Sequence, residues 1–207
     1  MTTINIPTYT GVIGNLTVNG VLTSGRISTG TNSNLTSSTI TGQGINCVAI
    51  GGAAGNTFQG TGAVAVGTAS GQTSQGNNAV GIGANAGNLS QAVNSVAIGT
   101  QAGESNQSGG VAIGVQAGQV NQGANSVAIG FFAGLASQGA NSICIGTKAG
   151  QTSCVANAIA LSVGNVDLSP ATAGLFCNGL AGRTGTGGIV NSIKYDTTTK
   201  EIYYIIS

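Results

Sequence analysis

From residue 47 the apolar residues come in short branched groups cut by Gly, Asn and Ser, and one group recurs in phase. Its copies are Cys47-Val-Ala-Ile-Gly51, Ala63-Val-Ala-Val-Gly67, Ala79-Val-Gly-Ile-Gly83, Ser95-Val-Ala-Ile-Gly99, Gly110-Val-Ala-Ile-Gly114, Ser126-Val-Ala-Ile-Gly130 and Ser142-Ile-Cys-Ile-Gly146. A degenerate eighth copy is Ala158-Ile-Ala-Leu-Ser162. The closing glycines stand 16 residues apart, except for a 15-residue step from Gly99 to Gly114. Within each copy the branched residues are i and i+2, so in an extended chain both face one way and the small residue faces the other. β-Branched residues also favour strand.

Each block continues with a small residue and a second glycine, from Ala54-Gly55 and Ser70-Gly71 to Ala149-Gly150. Four residues later comes a glutamine, at Gln59, Gln75, Gln91, Gln107, Gln122 and Gln138; the seventh block has Cys154 there. Sixteen residues hold two short strands and two turns, with the two glycines at positive-φ corners. The pattern therefore predicts an all-β chain, a parallel β-solenoid of about eight coils over 46–164. The Gln series predicts a structural amide ladder inside the roll or at a corner.

Hydrophobicity predicts that the branched residues form the interior. The expected core ladders are Val48, Val64, Val80, Val96, Val111, Val127, Ile143 and Ile159, beside Ile50, Val66, Ile82, Ile98, Ile113, Ile129, Ile145 and Leu161. The alternate stripe, Ala49, Ala65, Gly81, Ala97, Ala112, Ala128, Cys144 and Ala160, would then face outward. A flat uncharged stripe fits contact between chains better than exposure to water, which predicts a homo-oligomer.

Composition removes most other functions. Of 207 residues only 9 are charged, the net charge is +1, and there is no His or Trp. That leaves no electrostatic footprint for nucleic acid or anionic lipid and almost no general acid or base, so an enzyme is not expected. No apolar run reaches the length of a membrane span. No cofactor and no metal are expected: the four cysteines have no CxxC spacing and read as thiols, and the repeats lack the Asp per coil of a calcium roll. Gly81-Ile-Gly83-Ala-Asn-Ala-Gly87 is one copy of the repeat rather than a phosphate loop. A stacked-coil acyltransferase would use a catalytic His, and an ice-binding solenoid would need a flat Thr array; neither is present.

Asn94-Ser-Val-Ala-Ile-Gly99 and Asn125-Ser-Val-Ala-Ile-Gly130, with Asn141-Ser-Ile-Cys-Ile-Gly146, resemble the head repeat of trimeric autotransporter adhesins. The resemblance covers roughly residues 46–164. It implies a left-handed parallel β-roll, three chains side by side, with Val and Ile in each chain's core. On that reading Ala49, Ala65, Gly81, Ala97, Ala112, Ala128 and Cys144 form the trimer contact. The family's signal peptide, heptad stalk and membrane anchor have no counterpart in the sequence given.

The flanks resemble another group. Gly14-Asn-Leu-Thr-Val-Asn-Gly-Val-Leu-Thr23 is similar to strand-turn units of phage tail fibres and of fibre-like proteins of giant DNA viruses. Ile193-Lys-Tyr-Asp-Thr-Thr-Thr-Lys-Glu-Ile-Tyr-Tyr-Ile-Ile206 resembles a hairpin of the same proteins. Its alternation around 196–200 independently predicts a β-hairpin. Residues 1–45 read as a β-rich cap or attachment arm and 165–207 as a C-terminal segment ending in the hairpin. The start lacks the basic and apolar regions of a secretory signal, so synthesis and assembly in a host cytoplasm are expected.

The expected protein is a structural fibre, head or spike on a virion surface; the alternatives are a bacterial trimeric adhesin head and a monomeric ice-binding or surface-templating β-solenoid. Its partners would be its own copies, other virion proteins or a host receptor. Phe131-Phe132 is the bulky insertion at a variable corner, a candidate packing element or partner anchor. Arg26 and Arg183 are expected to be solvated or internally paired.

Overall fold

A computed structural model of the chain describes residues 42–178, 192–195, 198 and 202–205. Arg26, Arg183 and residues 1–41 of the expected N-terminal arm lie outside the described residues.

The repeat folds as a parallel β-solenoid. Strands β1 (Val48–Ile50) and β2 (Thr57–Gln59) make the first coil, β3 (Val64–Val66) and β4 (Thr73–Gln75) the second. Strands β5 (Val80–Ile82) and β6 (Leu89–Gln91) follow, then β7 (Val96–Ile98) and β8 (Ser105–Gln107). The later coils keep the motif strand, β9 (Val111–Ile113), β10 (Val127–Ile129), β11 (Ile143–Ile145) and β12 (Ala158–Leu161). Their return sides are tied by isolated parallel bridges, Ser105 to Val120, Val120 to Ala136 and Gln138 to Cys154.

Every motif strand pairs with the next copy in register, Val48 with Val64, Ala97 with Ala112 and Ile129 with Ile145 among them. The sheet continues one rung past the expected end at 164, because β13 (Gly174–Cys177) pairs with β12, Ala160 against Phe176. This rung keeps the 16-residue phase without the glycine motif. Nine rungs at a parallel spacing of roughly 4.8 Å make a body about 38 Å long. Apart from the solenoid, β14 (Ser192–Tyr195) and β15 (Ile202–Ile205) form the expected antiparallel hairpin, pairing Ile193 with Tyr204 and Tyr195 with Ile202.

The interior is the reverse of the expected one. Ala65, Gly81, Ala97, Ala112, Ala128, Cys144 and Ala160 are buried, and Ala49, in the first coil, is half-buried. These side chains point into their own coil and cannot reach a neighbouring chain. The expected core residues Val48, Ile50, Val64, Val66, Val80, Ile82, Val96, Ile98, Val111, Ile113, Val127, Ile129, Ile143, Ile145, Ile159 and Leu161 point outward. None of them is buried.

The reason is width. A methyl placed on Gly103 would lie 3.2 Å from the Ala97 Cβ, and one on Gly134 would lie 3.2 Å from the Ala128 Cβ. Walls this close accept a methyl but not an isopropyl or sec-butyl group. Alternation fixes which residues share a face, and here size decides which face is inside.

Tight corners close each coil. Gly83, at φ 128°, packs on the next coil so closely that a Cβ there would meet the Gly99 carbonyl oxygen at 2.6 Å. Glycine is not the sole source of curvature. Asn78, Asn85 and Ser90, in a single coil, also take positive φ, and Ala53, Ala69, Gln101 and Phe132 do so at the corner that Asn85 occupies. The left-handed region costs an L-residue about 1–2 kcal/mol, least for Asn, which accounts for Asn at so many of these corners.

Two substitutions separate steric from conformational strain. Gly83→Val is expected to lower stability by about 3 kcal/mol or more, because strain and the backbone clash add. Ala69→Gly, at φ 54°, is expected to raise it by about 0.5 kcal/mol. Equilibrium denaturation followed by circular dichroism reads both.

Candidate interaction surface

With the branched residues outside, the motif sheet carries an apolar face along its length. Val48 is 41% exposed, Ile145 40% and Ile113 36%, while Val64, Val96, Ile98, Val111, Val127 and Ile129 are half-buried by their neighbours along the sheet. Each outward position repeats at the rung spacing, so the face is two parallel rows of branched side chains. Only Glu104, Lys148 and Asp167 carry charge between residues 42 and 178. A continuous apolar face on so uncharged a body is what a contact surface offers.

Behind this face, the structure is held by the glutamine ladder. Gln75, Gln91, Gln107, Gln122 and Gln138 are at most 2% exposed. Each Nε2 donates at 2.8 Å to the carbonyl oxygen of its own coil's motif Val, as Gln91 does to Val80 and Gln107 to Val96. The same groups donate along the roll, Gln75 to the Oε1 of Gln91 and Gln91 to that of Gln107, both at 3.1 Å. Gln107 donates to Gln122 at 3.0 Å and Gln122 to Gln138 at 3.4 Å. Gln59 donates only to backbone, at Val48 and Ala63, and the Oε1 of Gln75 is buried with no partner. The amides thus satisfy buried carbonyls that a narrow apolar core would leave unpaired.

Phe131 is 46% exposed and stacks on Phe132 with ring centroids 3.9 Å apart. Phe132 is half-buried at φ 59°. The pair stands at a corner of the sixth coil, and the stacked ring holds Phe131 in an exposed position suited to an anchor. Further round the coil, five residues after the motif glycine, Glu104 accepts hydrogen bonds from Gln119 at 2.6 Å and from Gln101 at 3.2 Å. Asp167 accepts from the backbone of Gln151 at 3.2 Å and from the Thr152 hydroxyl at 2.9 Å. Both carboxylates are thereby occupied in joining coils. Sequence reasoning missed the bonds from Gln119, Gln151 and Thr152 because these partners lie a full coil away from the carboxylates.

The outer face of the second sheet is mixed. Thr57, Thr73, Leu89 and Ser105 follow one another along the roll, so no threonine array forms. Among the described residues, no group of three or more His, Cys, Asp or Glu side chains could hold a metal ion. No helix among them is long and apolar enough to cross a membrane. Compared with family models, curated proteins and solved structures, the chain matches none.

Replacing one rung measures the ladder. Gln107→Leu removes the donor to Val96, Gly110 and Gln122 and the acceptor for Gln91, so a loss of about 3 kcal/mol is expected. Thr100→Ala, at an exposed corner, is expected to change stability by less than about 0.5 kcal/mol. Urea denaturation of the two variants beside the parent checks the contrast.

Proposed function

We propose that the protein is a non-enzymatic structural protein, a left-handed β-roll of which three copies pack side by side. It is displayed on a virion surface and mediates attachment or joins neighbouring particle proteins. The observation that carries self-association is the apolar Val and Ile face, which runs the length of the motif sheet on a body with almost no charge. The contact is therefore made by Val64, Val96, Ile98, Ile113 and Ile129 rather than by the buried alanines. Covering such a face contributes roughly 25 cal/mol for each Å² of apolar surface removed from water.

Two further points support a structural role. The glutamine ladder and closed corners make a stiff body with its polar backbone groups paired internally, suited to presenting a surface rather than to moving around a substrate. The virion setting rests on the resemblance of residues 14–23 and 193–206 to viral fibre-like proteins. Phe131 is an exposed aromatic group open to a receptor or a neighbouring particle protein.

Light scattering of the native protein is expected to give three times 19.9 kDa, falling to one chain only after boiling in detergent. A monomer at high concentration would refute the assembly. Ile98→Asp should yield a monomer with unchanged circular dichroism, because the side chain lies outside the coil and a charge buried in the contact is costly. Immunodetection in purified virus particles tests the setting, and recovery on a bacterial surface instead would favour an adhesin head.

A further inference from the structure

The seventh coil departs from the repeat at two positions at once. Cys144 stands where the other motif strands have Ala or Gly, between Ala128 and Ala160 in the sheet. Cys154 stands where the six preceding coils have the ladder glutamine, bridged to Gln138. Both are buried, at 0% and 1% exposure.

The two replacements meet in the interior. In the preceding coil, a Cβ built on Gly134 would touch the Gln138 Oε1 at 2.5 Å and the Ala128 Cβ at 3.2 Å, the two inward groups of that coil. In the seventh, a Cβ on Gly150 would touch the Cys144 Sγ at 2.6 Å and the Cys154 Cβ at 2.9 Å. The methyl and amide that elsewhere fill the coil are replaced by two thiols in the same space. A hydrogen bond between the thiols, more than burial, raises the Cys144 pKa; the same bond lowers that of Cys154 against the opposing effect of burial. Cys47 lies at the first rung of the motif sheet, and Cys177, exposed, lies two rungs beyond Cys144 in the row of Ile145 and Leu161, outside the coil.

We propose that Cys144 and Cys154 are a disulfide-forming site, a covalent rung that closes the coil in which the glutamine ladder stops. The oxidant is a low-molecular-weight disulfide. Cys154, as thiolate, attacks one of its sulfurs, forming a mixed disulfide and releasing the first small thiolate, which takes up the proton Cys154 has lost. Cys144 then gives its proton to water, and its sulfur attacks that of Cys154, displacing the second small thiolate, which is protonated in turn. Two cysteine thiols are oxidised to one disulfide, and one small disulfide is reduced to two thiols. Because both sulfurs are enclosed in the finished roll, the exchange takes place while this coil is open, during folding or fraying.

The test refolds the full chain from denaturant with oxidised glutathione, with reduced glutathione as the control. The oxidised product should be two hydrogens lighter, and digestion without reductant should give one peptide pair joining Cys144 to Cys154. Closing this short loop should favour the folded state on the order of 100-fold over the reduced protein, read as a higher denaturation midpoint. The double variant C144A/C154Q restores the residues of the other coils and should show no such difference between the two conditions. Recovery of Cys144 and Cys154 as free thiols, as separate glutathione adducts, or bonded to Cys47 or Cys177 would overturn the proposal. So would an equal redox-dependent shift in the double variant.

Discussion

The separation between the two walls of the coil governs this protein. Where a methyl on one wall comes within contact of a glycine on the other, no branched side chain fits between them. The interior must then be built from alanine, serine and glycine, with one flexible planar group thin enough to lie in the remaining slot. Glutamine meets that need: its Nε2 hydrogens go to backbone carbonyls that face inward, and its Oε1 accepts from the glutamine of the preceding coil. Hydrophobic burial within one chain is consequently small, and cohesion comes from hydrogen bonds repeated in register along the axis.

That arrangement displaces the hydrophobic effect to the outside. Valine and isoleucine still earn their β-propensity in the motif strands, but their large surfaces remain available to a second body. The chain makes its backbone ladder alone, and its apolar rows stay partly exposed. The few charged groups in the roll are spent locally, Glu104 and Asp167 each joining one coil to the next.

The period, the strand type, the two glycine corners and the terminal hairpin were all legible in the sequence, since each depends on spacing or on a residue with restricted backbone preference. The sidedness of the strands was not. Alternation cannot tell inside from outside, and hydrophobicity, the usual arbiter, points the wrong way when the coil is too thin for Val96 or Ile98. A usable signal was nevertheless present: Ala63, Ala79, Ser95, Gly110, Ser126 and Ser142, just before the motif residues, never exceed serine in size. The rung at Gly174–Cys177 escaped notice because it keeps the phase and loses the motif. Positive φ at Phe132, Gln101 and Lys148 is set by the geometry of the coil and has no signature in those residue types.

The amide column also has a direction. From Gln75 to Gln138 every side-chain bond between rungs runs the same way, with nitrogen toward the C-terminal neighbour and oxygen toward the N-terminal one. A row of aligned amide dipoles gives the roll a chemical polarity on top of its parallel strands, so its two ends are not interchangeable. The column begins at the unpaired Oε1 of Gln75 and ends where the Nε2 of Gln138 donates to the carbonyls of Val127 and Ser142. In the assembly proposed above, copies packed side by side around an axis would place like ends of the column together.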